Sequence, residues 1–452
     1  MDTIVALATP SGRSAIGMIR LSGAKAIEIT RVLVGDDKFS PKHSKAILKK
    51  LGDPFTVEVL DQAVITYFKA PDSFTGEDIV ELSCHGSPVI LRRVLDLILR
   101  LDGRLAGPGE FTLRALNNGK LNLSQAEAIR DLINSQTDAA AKQAVRQLSG
   151  ELSRQLQPFK DRVVRLIVQL ESALEFVEDD LPAVQVQQIN HELLELISEV
   201  ASLAATFAIG HLVRDGLRVT IVGRPNVGKS SLFNSLLGFD RAIVTEVPGT
   251  TRDTLNEQIN LNGVPILLTD TAGVREATER IEIMGVERSH QAMADADLLL
   301  VVLDGCVDPS PEDLEIIDKE SGIRKIVVLN KSDLPTFRDR LTTELRLQVP
   351  VVEIAAKTGA GLEALRGALL EPLGVLNAGE SGLLITDARH YDLLCRTKEE
   401  IERAWILLDN QASEELILLG LYNALHLLGE ITGETTTEDV LSQIFSTFCI
   451  GK

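Results

Sequence analysis

The residues best suited to chemistry begin at Gly223-Arg224-Pro225-Asn226-Val227-Gly228-Lys229-Ser230, which fits G-x-x-x-x-G-K-[ST]. An apolar, β-rich run precedes it, and a helical stretch over 231–237 follows, opening at Ser231. Glycines at these positions let backbone N–H groups curl around phosphate oxygens. Lys229 supplies a point charge for the β- and γ-phosphates, and Ser230 offers a hydroxyl to Mg²⁺. Asp270-Thr271-Ala272-Gly273 closes a second strand-like run. Its carboxylate can reach Mg²⁺ through water, and the Gly273 N–H can meet the γ-phosphate. Asn330-Lys331-Ser332-Asp333 closes a third. A carboxylate there accepts both N1–H and N2–H of guanine, a donor pair that adenine lacks. Ala355-Ala356-Lys357 follows the last strand-like run and would back the base with a main-chain N–H. The four motifs in this order predict GTP and GDP binding, at the carboxyl ends of strands in a doubly wound sheet.

One residue departs from the usual hydrolytic machinery. Val274 stands after Asp-Thr-Ala-Gly, where Ras-like enzymes carry a glutamine that orients the attacking water. Hydrolysis must therefore recruit another group. Elsewhere, His85 could act as a general base, but the sequence shows no acid–nucleophile arrangement around it, which favours a turn or packing role. Cys449 reads as a buried small hydrophobe; to be a good nucleophile its thiol would need a nearby positive group, for which Lys452 is a candidate. The cysteines, at 84, 306, 395 and 449, form no CxxC and no metal cluster. In a chain this long that predicts reduced thiols and a cytoplasmic protein.

The elements that must position these groups fall into four stretches. Residues 1–118 read as mixed α/β, with strand-like runs at 3–9, 16–21, 62–68 and 78–83 and a helix over 89–99. Residues 119–212 turn helical. Ser124-x-x-Glu127 looks like a capping box, and apolar residues from Leu152 to Val177 alternate spacings of four and three. Residues 213–374 alternate β and α, with β-rich runs at 218–222, 266–269, 298–303, 325–329 and 349–354, which implies a parallel sheet covered by helices. Residues 375–452 are helical again, with Thr435-x-x-Glu438 opening a last helix towards Phe445. The simplest arrangement is one helical domain built from both flanks with the α/β domain inserted in it.

Of 452 residues 44% are hydrophobic and 25% charged, a globular composition, and the net charge is −19. Residues 1–118 carry 15 Lys and Arg against 14 Asp and Glu, a net of +1, so the remaining 334 carry −20. That acidic body disfavours broad non-specific nucleic-acid binding. Aromatics at 4% disfavour a base-stacking platform. No stretch of 18 apolar residues is free of charge, so no membrane span is expected.

Thr250-Thr251-Arg252-Asp253 resembles switch I of the translation-factor-related GTPases, with Thr251 the second Mg²⁺ ligand. The runs Asp2–Ala6, Phe74–Asp78, Pro108–Thr112, Val247–Asp253 and the terminal Cys449-Ile450-Gly451-Lys452 narrow this. Together they resemble the MnmE (TrmE) family of tRNA-modification GTPases over the whole chain. The resemblance implies a tetrahydrofolate-binding, dimerising N-terminal domain at 1–118 and a discontinuous helical domain at 119–212 and 375–452. It places a Ras-like, doubly wound P-loop GTPase domain between them at 213–374.

It also implies a homodimer that joins the flavoprotein MnmG (GidA) in a heterotetramer. That complex forms aminomethyl or carboxymethylaminomethyl uridine at the wobble position of tRNA. The one-carbon unit comes from a 5-formyl- or 5,10-methylene-tetrahydrofolate, and FAD enters only through MnmG. K⁺ would activate hydrolysis by drawing two GTPase domains together, held by Asn226, Thr250 and the carbonyls of Thr245 and Val247. Glu246, Pro248 and Gly249 complete that nucleotide-facing loop. Glu282 would replace the missing glutamine, and Arg252, Lys229 and Cys449 join it as catalytic candidates. Folate contacts carry over to Arg20, Glu81, Lys120 and Lys452. The competing expectation is a ribosome-assembly-type GTPase switch without modification chemistry of its own.

Overall fold

Residues 3–105 build the first of two six-stranded sheets in the computed structural model, which describes residues 2–175, 183–240, 256–270, 296–318, 323–338, 349–371, 382–435, 441 and 444–451. Its strands are β1 (Thr3–Leu7), β2 (Ile16–Ser22), β3 (Ala46–Gly52), β4 (Val59–Phe68), β5 (Ile79–His85) and β6 (Gly103–Leu105). They lie in the order β3-β4-β5-β2-β1-β6, antiparallel except for β1 beside β6. Alternate residues Ile19, Leu21, Ile65, Val80 and Leu82 face one side and are fully buried. The helices Ala26–Val34 and Pro88–Arg100 cover that side with Ile29, Leu33, Leu91, Val94 and Ile98.

Two strands were not foreseen. β3 is an edge strand in which only Leu51 is buried and which carries Lys49 and Lys50, so it has no clean apolar alternation. β6 has three residues, too few for a period to register.

The expected cap at residue 124 lies elsewhere. The helix Leu123–Asn134 already contains Ser124. The reciprocal bonds belong to Asn122 and Gln125: Gln125 N donates to Asn122 Oδ1 at 2.9 Å, and Asn122 N donates to Gln125 Oε1 at 3.0 Å. The amide pair does the work of a capping box two residues earlier. The helical stretch from 123 to 148 is divided into two helices, Leu123–Asn134 and Asp138–Leu148. Glu438, and with it the box opened by Thr435, lies outside the described residues.

The chain folds into two compact units. The first unites residues 1–130, 148–156 and 426–452. Here the C-terminal tail docks: Phe445 and Phe448 pack on Leu123 and Ala126, their rings 5.0 Å apart. Pro108 and Ile450 form an antiparallel bridge. Gly109 has φ +64, and a Cβ there would lie 2.9 Å from both Phe445 and Phe448. Glycine is therefore required by backbone shape and by closeness alike.

The second unit holds residues 131–147 and 157–425. One part is helical. Val163, Leu166 and Leu170 meet Ile189, Leu193 and Leu196, together with Ile401, Ala404, Leu421 and Ala424. The run Gln185–Asp215 is long and apolar enough by composition to cross a bilayer. A third of its apolar window is buried, and Leu193 and Leu196 are fully buried in this core.

The other part is the second sheet: β7 (Leu217–Val222), β8 (Asn256–Leu261), β9 (Val264–Asp270), β10 (Leu298–Asp304), β11 (Arg324–Asn330) and β12 (Val351–Glu353). The order is β12-β11-β10-β7-β9-β8, parallel except for the β8–β9 hairpin. The near-continuous apolar runs of β7, β10 and β11 reflect burial on both faces. The order reverses between β7 and β10, which opens the crevice where such sheets bind ligands. β8 was missed because its polar residues, Asn256, Glu257, Gln258 and Asn260, place it at the sheet edge.

Candidate functional site

The loop between β7 and the helix Lys229–Asp240 leaves the sheet at that crevice. Its backbone is tightly curled: Gly223, Asn226 and Gly228 have φ +145, +66 and +102. A Cβ on Gly223 would stand 2.4 Å from Val302 O, and one on Gly228 would stand 2.1 Å from Asn330 Nδ2. Lys229 is 7% exposed, and its Nζ donates to Gly223 O and Arg224 O, both at 2.8 Å. The ammonium is thus held at the mouth of the curl by the loop's own carbonyls. Val227 is buried, while Asn226, Ser230 and Ser231 are exposed.

Asn330 joins three of the predicted segments. Its Nδ2 donates to Val227 O at 2.9 Å, and its Oδ1 accepts the Ala356 N–H at 3.0 Å. The Ala355 N–H donates to Ala360 O. Two main-chain donors of the 355–357 turn are therefore engaged inside the protein. Asn330 is 3% exposed, so both bonds form away from water, where an unmade bond would be costly. Lys331 follows with φ +69 and places its Nζ 2.6 Å from Asp304 Oδ2. Asp333 and Lys357 are exposed.

Several predicted residues lie outside the described ones: Thr245, Glu246, Val247, Pro248, Gly249, Thr250, Thr251, Arg252, Thr271, Ala272, Gly273, Glu282 and Lys452. Asp270 ends β9 in register with Ile221.

In the first unit Arg20 and Glu81 are cross-strand partners on β2 and β5. Arg20 Nε and Nη2 donate to Glu81 Oε1 at 2.9 and 2.7 Å, and the guanidinium lies 5.9 Å from the Phe111 ring centre. Arg20 is also the register partner of Ala6 on β1. One residue on, Gly451 of the tail approaches so closely that a Cβ would stand 2.6 Å from Leu7 O. Cys449 is exposed, and its carbonyl accepts the Gly109 N–H at 3.4 Å. Lys120 is exposed beside Gly76.

Sequence reasoning passed over Arg114. It bonds Glu77 Oε2 at 3.0 Å, Glu110 Oε1 at 3.0 Å and Asp2 Oδ1 at 2.5 Å. These acids belong to three of the short runs that carried the family resemblance, and their need for one shared cation was the available signal. His85 sits in a different pairing: its Nδ1 lies 2.6 Å from Asp61 Oδ1, and its backbone N–H donates to Asp61 Oδ2 at 2.8 Å. Burial works to raise the Asp61 pKa, but the His85 ring and the backbone N–H groups of His85 and Gln62 hold it below the usual carboxylate range.

A Gly-rich curl at the reversal point of a parallel sheet, tied by one asparagine to a guanine-type loop, defines a P-loop GTPase. Comparison with known proteins agrees and goes further. Residues 3–120 match the GTP-binding protein TrmE N-terminus, and residues 123–449 match the MnmE helical domain. The tRNA modification GTPase MnmE of Koribacter versatilis (strain Ellin345) is 44% identical over 454 residues, covering 100% of this chain and 99% of its own. That of Aquifex aeolicus (strain VF5) is 43% identical over 455 residues, covering 100% of both. The G domain of the T. maritima FeoB iron transporter aligns with 34% of this chain and 97% of its own, at 31% identity and a TM-score of 0.26. The chain belongs to the MnmE family of tRNA modification GTPases, and it is a GTP hydrolase.

Proposed function

We propose that this GTPase uses hydrolysis to drive a folate-dependent modification of the tRNA wobble uridine in complex with the flavoprotein MnmG. The observation that carries the nucleotide half is Asn330, bonded at once to the P-loop and to the 355–357 turn. Phosphate oxygens enter the tightly curled backbone at 223–228. Lys229 exchanges its two carbonyl partners for β- and γ-phosphate oxygens. The Asp333 carboxylate accepts the guanine N1–H and N2–H.

Mg²⁺ would be held by Ser230 and Thr251 and would neutralise phosphate charge when bound. The exposed Ser230 at the first turn of its helix fits that duty. K⁺ would be held by Asn226, Thr250 and the carbonyls of Thr245 and Val247, and would supply the positive charge that an arginine finger supplies elsewhere. Asn226, exposed at the crest of the loop with φ +66, fits as a side-chain oxygen donor. Glu282 orients the attacking water in place of the absent glutamine, and Arg252 assists at the same site.

The modification half is supported by the docked tail beside the Arg20–Glu81 pair. A carboxylate suits the pterin N–H edge, and arginine or lysine suits the glutamate carboxylates of a 5-formyl- or 5,10-methylene-tetrahydrofolate. Arg20, Glu81, Lys120 and Lys452 would hold that cofactor, which supplies the one-carbon unit when bound, with Cys449 beside it. In this reading residues 1–118 bind folate and form the homodimer. Residues 119–212 and 375–452 form the helical domain, and 213–374 the inserted GTPase domain. The complex works in the cytoplasm.

GTP turnover by the full chain in matched KCl and NaCl tests the reading. Strong stimulation by K⁺, lost in Asn226→Ala, is expected. Equal rates in both salts would remove the cation mechanism.

A further inference from the structure

We infer that Asp304 is a positioning residue for the guanine site, acting through Lys331. This rests on the assignment of Asn330–Asp333 to the base. Asp304 is the last residue of β10 and stands in register with Asn330, the last residue of β11. Its two oxygens have separate duties. Oδ1 accepts the Cys306 N–H at 3.0 Å, which fixes the carboxylate plane. Oδ2 lies 2.6 Å from Lys331 Nζ. The two strand ends are themselves locked together, because the Gly305 N–H donates to Asn330 O at 3.0 Å.

Lys331 is a side-chain-bearing residue in a left-handed conformation, φ +69, directly after its strand. Such a conformation is uncommon outside glycine and persists where surroundings impose it. Here it turns the lysine back along the carboxyl edge of the sheet towards β10 instead of onward into the loop. With its ammonium anchored on Asp304, the four-carbon stem is held along that edge, beside the loop that carries Asp333. A stem already ordered gives a purine face something to pack on without first losing rotamer freedom, which for lysine is among the largest of any side chain. The pair is well shielded, at 31% and 17% side-chain exposure. Burial alone would raise the Asp304 pKa, but the Lys331 ammonium and the Cys306 N–H keep it below the usual carboxylate range. The anchor is therefore charged throughout the neutral range.

The test uses the full chain and reads GTP KM, kcat and the Kd for GDP. Asp304→Asn keeps an acceptor for Cys306 and removes the charge that holds Lys331. It is expected to raise KM and the GDP Kd roughly tenfold, the order set by ordering one lysine side chain on binding, with kcat within about twofold. In a Lys331→Met background the same change is expected to add nothing. An unchanged KM and Kd in Asp304→Asn, or effects that multiply in the double variant, would overturn the inference. Asp304→Ser, which also keeps an oxygen for Cys306, serves if Asp304→Asn fails to fold. Asp333→Asn separates this from the base assignment. A shift of preference from GTP to xanthosine triphosphate keeps that assignment, because the amide donates where the carboxylate accepted. No shift would overturn the assignment and the role of Asp304 with it.

Discussion

Arg214 Nη1 donates to Asp387 Oδ2 at 2.7 Å, and this contact joins the chain entering the second sheet to the chain that has left it. Arg214 lies two residues before Gly216, which leads into β7, and Asp387 caps the helix Ala388–Asp409 by accepting the Arg389 N–H. Asp131 adds a second carboxylate at 3.1 Å. The returning segment is held on two further sides: Gln143 bonds Gly382 O and the Leu384 N–H, and Thr206 Oγ1 accepts the Ile385 N–H. The junction is thus a clamp built from helices that belong to both flanks.

Removing the cation should therefore be severe. Arg214→Ala leaves two carboxylates facing each other with little water, and is expected to cost about 3 kcal/mol, the lower end for breaking a buried ion pair. Asp387→Asn should cost less, because its amide oxygen still caps the helix. Equilibrium unfolding in urea, read at the Trp405 fluorescence, measures both.

The same clamp predicts an acid limb. Burial would raise the Asp387 pKa, but His390, Arg214 and the Arg389 N–H together hold it well below the usual range. A carboxylate whose folded pKa is depressed contributes stability that is complete above its unfolded value, near 4, and is lost as pH falls through the folded value. Stability should decline below about pH 4, and Arg214→Ala should flatten that decline. Urea midpoints between pH 7 and pH 3 report the difference.

The P-loop tolerates no side chain at Gly228. A Cβ there meets Asn330 Nδ2 at 2.1 Å with φ +102. Gly228→Ala must displace the amide that joins the P-loop to the 355–357 turn. GTP kcat/KM is expected to fall at least about a hundredfold, the order of losing roughly 3 kcal/mol of binding and positioning. A near-normal rate would show that the Asn330 bridge is dispensable.

Tail docking is testable at Gly109. Gly109→Val places a branched side chain against Phe445 and Phe448 in a left-handed backbone. Chymotrypsin should then cut at Phe445 and Phe448 several times faster than in the parent chain. Cys84 supplies an internal control. Burial, reinforced by the Asp61 charge, pushes its thiol up to about 12, so it should resist alkylation at pH 9 while the exposed Cys449 reacts.

The strands at the nucleotide crevice were legible because they are buried on both faces and carry unbroken apolar runs. The motifs at 223–230 and 330–333 were legible because a phosphate curl and a guanine-reading carboxylate each demand particular residue types at fixed spacing. β3 and β8 were not, since an edge strand is only partly covered and its sequence need not alternate. The capping pair Asn122–Gln125 was misread by two positions because Ser124-x-x-Glu127 satisfies the same pattern, and only the position of the first helical turn decides between them.

The class of chemistry, the order of its motifs and the family could be read from residue identity along the chain. Which distant groups meet emerges only on folding. Arg114 gathers Asp2, Glu77 and Glu110, Asn330 bridges two loops, Asp304 anchors Lys331, and the tail reaches β1. Each such contact joins residues whose separation in sequence carries no period and no spacing rule, so the packing of helices on sheets had to bring them within bonding distance before their partnership could be read.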